Sequence, residues 1–258
     1  MAISKIIYSV TAKLFEEGKL PYSGSILELG EANWYGDVAV HILLADIKKH
    51  IADQTMRETL FNRVKELMAE QPPTLAFDLA KVFYSLYYGH ETLVAVDYHG
   101  TPLSLKLDLN YPITLNQQFD VCINNGTAEH IFNTGQVFKT MHEWTLPGGL
   151  MIHEGPLISG WVDHGFVNFQ PTLFFDLART NQYEMMFFIG NLDPYEIYPF
   201  VSREEILTFV EQGKLPKNAT FLVFFKKPSE ERPFHIPIQG YYDDQISEQA
   251  AAAWHSMR

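Results

Sequence analysis

The chain is poor in the residues that would tie it to an oxidising compartment, a membrane or a phosphate backbone. Its one cysteine, Cys122, allows no intramolecular disulfide and suits a reducing compartment. Lying inside the apolar run Phe119 to Ile123, that thiol reads as a small core residue, because a nucleophilic thiolate needs an accessible, electropositive setting. No apolar run approaches the roughly 18 residues of a membrane-spanning helix. Met1 to Leu14 alternates apolar with polar residues, unlike the continuous apolar stretch and cleavage site of a secretory signal. A cytoplasmic protein with no membrane partner is expected. The 19 Lys and Arg are scattered among 31 Asp and Glu, and the net charge of −12 opposes nucleic acid as a partner.

Several motifs are missing as well. There is no Gly-x-Ser-x-Gly elbow and no Gly-x-x-x-x-Gly-Lys-Ser/Thr loop, so serine-hydrolase and P-loop chemistry lack support. The histidines at 130, 142, 153 and 164 are too widely spaced to form a compact ligand motif, and no metal site is assigned from the sequence.

What is present fits one α/β domain spanning residues 1–258. A chain that is 47% apolar can bury one large core at this length. Ile3 to Glu17 reads as an amphipathic helix, part of an N-terminal segment 1–20, stopped by Gly18 and Pro21. Ser25-Ile26-Leu27-Glu28-Leu29-Gly30 and Leu93-Val94-Ala95-Val96-Asp97 are apolar runs with acidic residues near their ends. Buried parallel strands that deliver carboxylates to a ligand crevice have this pattern. Between them, residues 37–90 form a helical insertion, either a lid or a layer packed on the sheet. Within it Thr55 and Glu58 have capping-box spacing, and Leu75 to Leu86 repeats at helical intervals before Gly89. Further helices are expected over Val137 to Trp144, Pro171 to Asn181 and the stretch after Ser202, with late strands at Tyr183 to Ile189 and Ala219 to Lys226.

Three more fragments complete the series: Ser104-Leu105-Lys106-Leu107-Asp108, Phe119-Asp120-Val121-Cys122-Ile123-Asn124-Asn125-Gly126 and Leu146-Pro147-Gly148-Gly149-Leu150-Met151-Ile152-His153. In this order the five pieces resemble the class I S-adenosylmethionine-dependent methyltransferases. The resemblance implies a Rossmann-like, mostly parallel seven-stranded sheet with helices on both faces. It further implies that Glu28 and Gly30 line the methionine end of S-adenosylmethionine, that Asp97 accepts the ribose hydroxyls and that Asp108 approaches the adenine. Asn124 and Asn125 would line the crevice from the fourth strand.

From the residues themselves, Ala32 and Trp34 stand where a Gly-x-Gly-x-Gly turn would continue, which disfavours a dinucleotide pyrophosphate. A sulfonium cation is instead attracted to carboxylates and aromatic faces, which Glu28, Trp34 and Tyr35 would supply. For an oxygen acceptor a base must take the proton, and His130 or His164, each following an acid, is the candidate. Tyr35, Glu129, His153, Asn168 and Gln170 are candidate substrate contacts. The reading is methyl transfer to a small-molecule acceptor, most readily at oxygen. The alternatives are a nicotinamide-dependent oxidoreductase and a non-catalytic sensing module. Acceptor identity, the atom methylated, metal dependence, oligomeric state and the role of the tail after Ser229 are not legible.

Overall fold

The computed structural model describes residues 2–22, 24–158, 161–243 and 247–256. In chain order the elements are β1 (Ala2–Ile3), α1 (Lys5–Glu16), β2 (Gly24–Leu29), β3 (Asn33–Trp34), α2 (Val40–His50), α3 (Gln54–Glu70) and α4 (Leu75–Tyr88). There follow β4 (His90–Val96), β5 (Phe119–Asn125), α5 (Thr134–Trp144), β6 (Thr145–Pro156), α6 (Pro171–Asn181), β7 (Glu184–Leu192), β8 (Tyr195–Phe200), α7 (Arg203–Glu211), β9 (Thr220–Lys226) and α8 (Glu248–Ser256). The main sheet has seven strands in the order β4-β2-β5-β6-β9-β7-β8. Strands β4, β2, β5 and β6 run parallel, and β9 pairs antiparallel with both β6 and β7. This is a Rossmann-like doubly wound sheet with an antiparallel far end.

Strand alternation sorts the core into two layers. Ile26, Val121, Ile123, Leu150 and Ile152 face a cluster built with α1 to α4, whereas Leu27, Leu29, Cys122 and Met151 face one built with α5, α6 and α7. Successive strand residues point to opposite faces, so each acquires its layer from its parity. Cys122 is fully buried, and burial pushes its thiol up to about 12. It is a core residue.

The count of seven is reached differently from the expectation. Ser104 to Asp108 contributes no strand, only a single parallel bridge from Leu105 to Val96, and the seventh strand is β8, hairpinned onto β7. Leu105, Leu107 and Leu109 alternate as in a strand, but the Leu107 N–H turns back onto the Leu105 carbonyl at 3.0 Å, so the backbone leaves the sheet edge after one bridge. The cap of α3 is also not Thr55: Asp53 accepts the Met56 N–H at 2.7 Å. The insertion is three helices, and α4 lies in the core with Leu79, Phe83, Tyr84, Leu86 and Tyr87 buried. It ends at Gly89 in the left-handed region, φ 55°, as a helix-stopping glycine does.

Candidate functional site

Strand order puts β4 and β5 on opposite sides of β2, so the chain leaves β2 and β5 in opposite directions and their carboxyl ends part. Ligand crevices of open α/β sheets form at such a switch point. Gly30 (φ 89°) and Gly126 (φ 71°) follow these two strands in a backbone conformation that side chains resist. The Gly30 N–H donates to the Val96 carbonyl at 2.7 Å, and the Thr127 hydroxyl donates to the Leu29 carbonyl at 2.6 Å. Between the two turns lies a cavity of about 390 Å³, lined by Gly30, Asp97, His99, Asp108, Gly126 and His130 among others.

Asp97 projects from the end of β4 with its oxygens partly used. Oδ2 accepts the Glu31 N–H at 2.9 Å and Oδ1 the His99 N–H at 2.7 Å. An ionised carboxylate has about four acceptor sites, so capacity remains for ligand hydroxyls. Asp108 reaches the same cavity but also accepts the Asn110 backbone N–H at 2.9 Å, shaping its own turn. Glu31, absent from the sequence-based site, is buried and fastens the loop after β4: its carboxylate accepts the Thr101 N–H at 2.6 Å and hydroxyl at 3.0 Å and pairs with Lys81 of α4 at 3.2 Å. An acidic residue directly after Gly30 was the one signal that could have flagged it.

Other expected site residues lie elsewhere. Glu28 shares the parity of Ile26, so it points into the α1–α4 layer and does not line the cavity. Its Oε1 accepts the Tyr84 hydroxyl at 2.6 Å and the Ala32 N–H at 3.3 Å, and burial pushes its carboxyl up to about 8. It is therefore neutral near pH 7 and offers a sulfonium no charge. Trp34 packs edge-on against Tyr8 and donates Nε1–H to the Val38 carbonyl at 3.0 Å, a core role. Asn124 spans Ala128 N–H and His153, and Asn125 is buried, its Oδ1 without a hydrogen-bond partner among the described residues; neither lines the two cavities described here. His153 has the parity of Met151, stacks on Phe138 at 4.8 Å and is driven down to about 3 by burial. It lines neither cavity described here, whereas its neighbour Glu154, of opposite parity, lines the second. Asn168 and Gln170 are exposed at the approach to α6 and line neither cavity.

A second cavity, of about 190 Å³, adjoins the first, and Gly126 and His130 line both. Its other walls include Tyr35, Glu129, Glu154, Trp161 and His164. Glu129 sits in the short 3-10 turn Ala128–His130, and its carbonyl accepts the Phe166 N–H at 2.7 Å. That bond draws the loop carrying His164 across, so the His130 and His164 rings lie 5.1 Å apart, with Trp161 5.1 Å from His164. Burial raises the Glu129 carboxyl to about 7, and burial and then the charge of Glu129 raise Glu154 to about 8. His130 is shifted down, by burial first and by His164 second. The fold therefore brings together Tyr35, Glu129, His130 and His164 from the expected set, together with Glu154 and Trp161, which the sequence alone did not single out.

No protein-family model matches the chain, and no curated protein matches it. Among solved structures it is similar to the YcgJ protein of Bacillus subtilis, at 9% identity and a TM-score of 0.44 over 86% of this chain and 100% of that one. It is similar also to a SAM-dependent methyltransferase from Archaeoglobus fulgidus, at 11% identity and a TM-score of 0.43 over 85% and 93%. A third is the 1,6-didemethyltoxoflavin-N1-methyltransferase of Burkholderia thailandensis, whose structure holds 1,6-didemethyltoxoflavin and S-adenosylhomocysteine, at 11% identity and a TM-score of 0.36 over 85% and 77%. Likeness at this level carries no argument about activity; the strand order itself defines the fold. Among the described residues no helix is long and apolar enough to cross a membrane.

Proposed function

We propose that this protein is an S-adenosylmethionine-dependent methyltransferase that methylates a small molecule at oxygen. The observation that carries the reading is the pair of adjoining cavities at the switch point, which meet at Gly126 and His130: one with an acidic strand end, the other with clustered acids and histidines. A bound S-adenosylmethionine supplies a methyl group on a sulfonium. Asp97 accepts its ribose hydroxyls, the 97–110 loop walls its adenosine, and Gly30 and Gly126 give its methionine portion room. The long glycine run of a pyrophosphate site is absent after β2, which favours this cofactor over a dinucleotide. Glu28, being neutral and sealed from the cavity, holds the turn rather than the cation.

The acceptor lies in the second cavity against Tyr35 and Trp161, a size that suits a metabolite and not a polymer. In-line positioning supplies much of the rate. The rest is removal of the hydroxyl proton, for which His130 and His164 are placed; with its pKa lowered, His130 is a neutral imidazole at pH 7, ready to accept it.

Calorimetric titration of the folded protein with S-adenosylmethionine, S-adenosylhomocysteine and NAD tests the reading. Saturable binding of the first two is expected. Binding of NAD alone would replace it with a nicotinamide-dependent reaction, and cofactor binding with no methylated product across a broad acceptor screen would replace it with a sensing role.

A further inference from the structure

The carboxylate of Glu129 is buried, 1% exposed as a residue, and its Oε2 has no hydrogen-bond partner among the described residues. An oxygen so placed costs free energy unless a proton or a cation compensates it. Its other oxygen, Oε1, lies 3.9 Å from His130 Nε2 and 3.8 Å from His164 Nε2, beyond hydrogen-bonding distance. One ligand atom from each of these three residues lies within 4.8 Å of the other two. They converge without bonding one another, which leaves a place for something between them.

The spacing is close to that around a small metal ion. Ligands about 2.1 Å from zinc in tetrahedral geometry stand roughly 3.4 Å apart. The Glu129–histidine distances of 3.9 and 3.8 Å and the spread of up to 4.8 Å across the three atoms close to that value when each imidazole moves by roughly 0.7 Å, and the two, with side chains 46% and 41% exposed, are free to make that move. The backbone is built for this approach. A Cβ at Gly165 would stand 2.8 Å from the Glu129 carbonyl oxygen, so glycine is what lets the segment bearing His164 close onto the turn.

We propose that Glu129, His130 and His164 bind a divalent transition-metal cation. Two imidazole nitrogens and one carboxylate oxygen form the three-ligand set that catalytic zinc-type sites use, with remaining positions open. Magnesium and calcium fit poorly, because they select oxygen ligands. The wide spacing of the histidines leaves metal dependence open in the sequence, because the bond from the Phe166 N–H to the Glu129 carbonyl, and not proximity along the chain, brings His164 to His130. With metal bound, His130 and His164 would act as ligands and no longer as the base, and the cation would instead lower the pKa of an acceptor hydroxyl bound to it; this consequence, but not the binding itself, rests on the proposed methyl transfer.

The test is titration of chelator-treated protein with Zn²⁺ and Co²⁺ by calorimetry, with Co²⁺ followed also by its visible absorption. One equivalent per chain is expected, with the intense bands of a low-coordinate Co²⁺ site. Glu129→Gln, His130→Ala and His164→Ala should each weaken binding by about 100-fold or more, while His255→Ala, on α8, should bind as the parent does. Circular dichroism establishes that each variant is folded. Absence of stoichiometric binding in the folded parent, or affinity unchanged in all three ligand variants, overturns the proposal. The titration needs neither cofactor nor acceptor, so metal binding without S-adenosylhomocysteine binding would overturn only the methyltransferase reading, and the reverse result only the metal site.

Discussion

The Tyr84 hydroxyl donates to Glu28 Oε1 at 2.6 Å, joining α4 to the interior of β2 where both residues are almost completely buried. This bond fixes the strand that precedes the Gly30 turn to the last helix of the insertion. It also explains why an acid at a strand end, attractive as a ligand contact, is structural.

Glu28 makes stability depend on pH. Its carboxyl is raised in the folded protein from 4.5 to about 8, so the folded state keeps a proton that the unfolded chain releases. Its contribution is complete below the unfolded value and is lost as pH rises through the folded one, at up to about 1.4 kcal/mol per pH unit between them. Urea unfolding from pH 5 to pH 9 should show a shallower decline for Glu28→Gln than for the parent. Identical slopes would mean that Glu28 is ionised in the fold.

Tyr84→Phe removes one donor from that carboxyl and leaves the rest of the ring packing in place. The expected loss is about 1 to 3 kcal/mol of stability near neutral pH. Cofactor affinity measured by calorimetry should stay near that of the parent, because neither residue touches the cavity.

For Asp97→Ala the expectation is the opposite. If both ribose hydroxyls donate to Asp97, affinity for S-adenosylhomocysteine should fall by about 1.5 to 3 kcal/mol per charge-assisted bond. Asp97 also accepts two backbone N–H groups, so Asp97→Asn serves as the gentler comparison, and unchanged affinity in both would remove Asp97 from the site.

His130→Ala or His164→Ala should lower turnover of an identified acceptor by about 10²- to 10⁴-fold with S-adenosylhomocysteine affinity nearly intact. A neutral amine can attack first and lose its proton afterwards, so parent-like turnover in both folded variants would point to a nitrogen acceptor.

Hydrogen exchange separates lid from scaffold in residues 37–90. Since α4 is buried along most of its length, its amides should exchange slowly and equally with and without cofactor, as in a stable core segment. Only α2 and α3, of which few residues are buried, remain candidates for closure, and slowing confined to them when cofactor and an acceptor analogue bind together would identify the lid.

How far the sequence could be read follows from what each signal depends on. Strand periodicity and helix stops are local, so β2, β4, β5, α4 with Gly89, and α6 beginning at Pro171 were legible, as was Asp97 at its strand end. Face parity is legible too: it puts Glu28 in the α1–α4 layer and His153 in the opposite one, and neither lines the two cavities. Ser104 to Asp108 resembled a strand in composition, yet only Leu105 finds a partner. The meeting of His130 with His164 depends on a backbone bond between Glu129 and Phe166, and such a tertiary tie leaves no local trace.

The bridge from Lys81 through Glu31 to Thr101 has a thermodynamic consequence for ligand binding. The loop beyond Asp97 is held at both its base and its crest before any ligand arrives, so the entropy of ordering it is already spent in folding. Discrimination between cofactors at this wall should accordingly appear in how long each stays bound, with little difference in how fast each enters. Loosening the bridge, as in Lys81→Met, would turn a rigid wall into one that each ligand must order for itself.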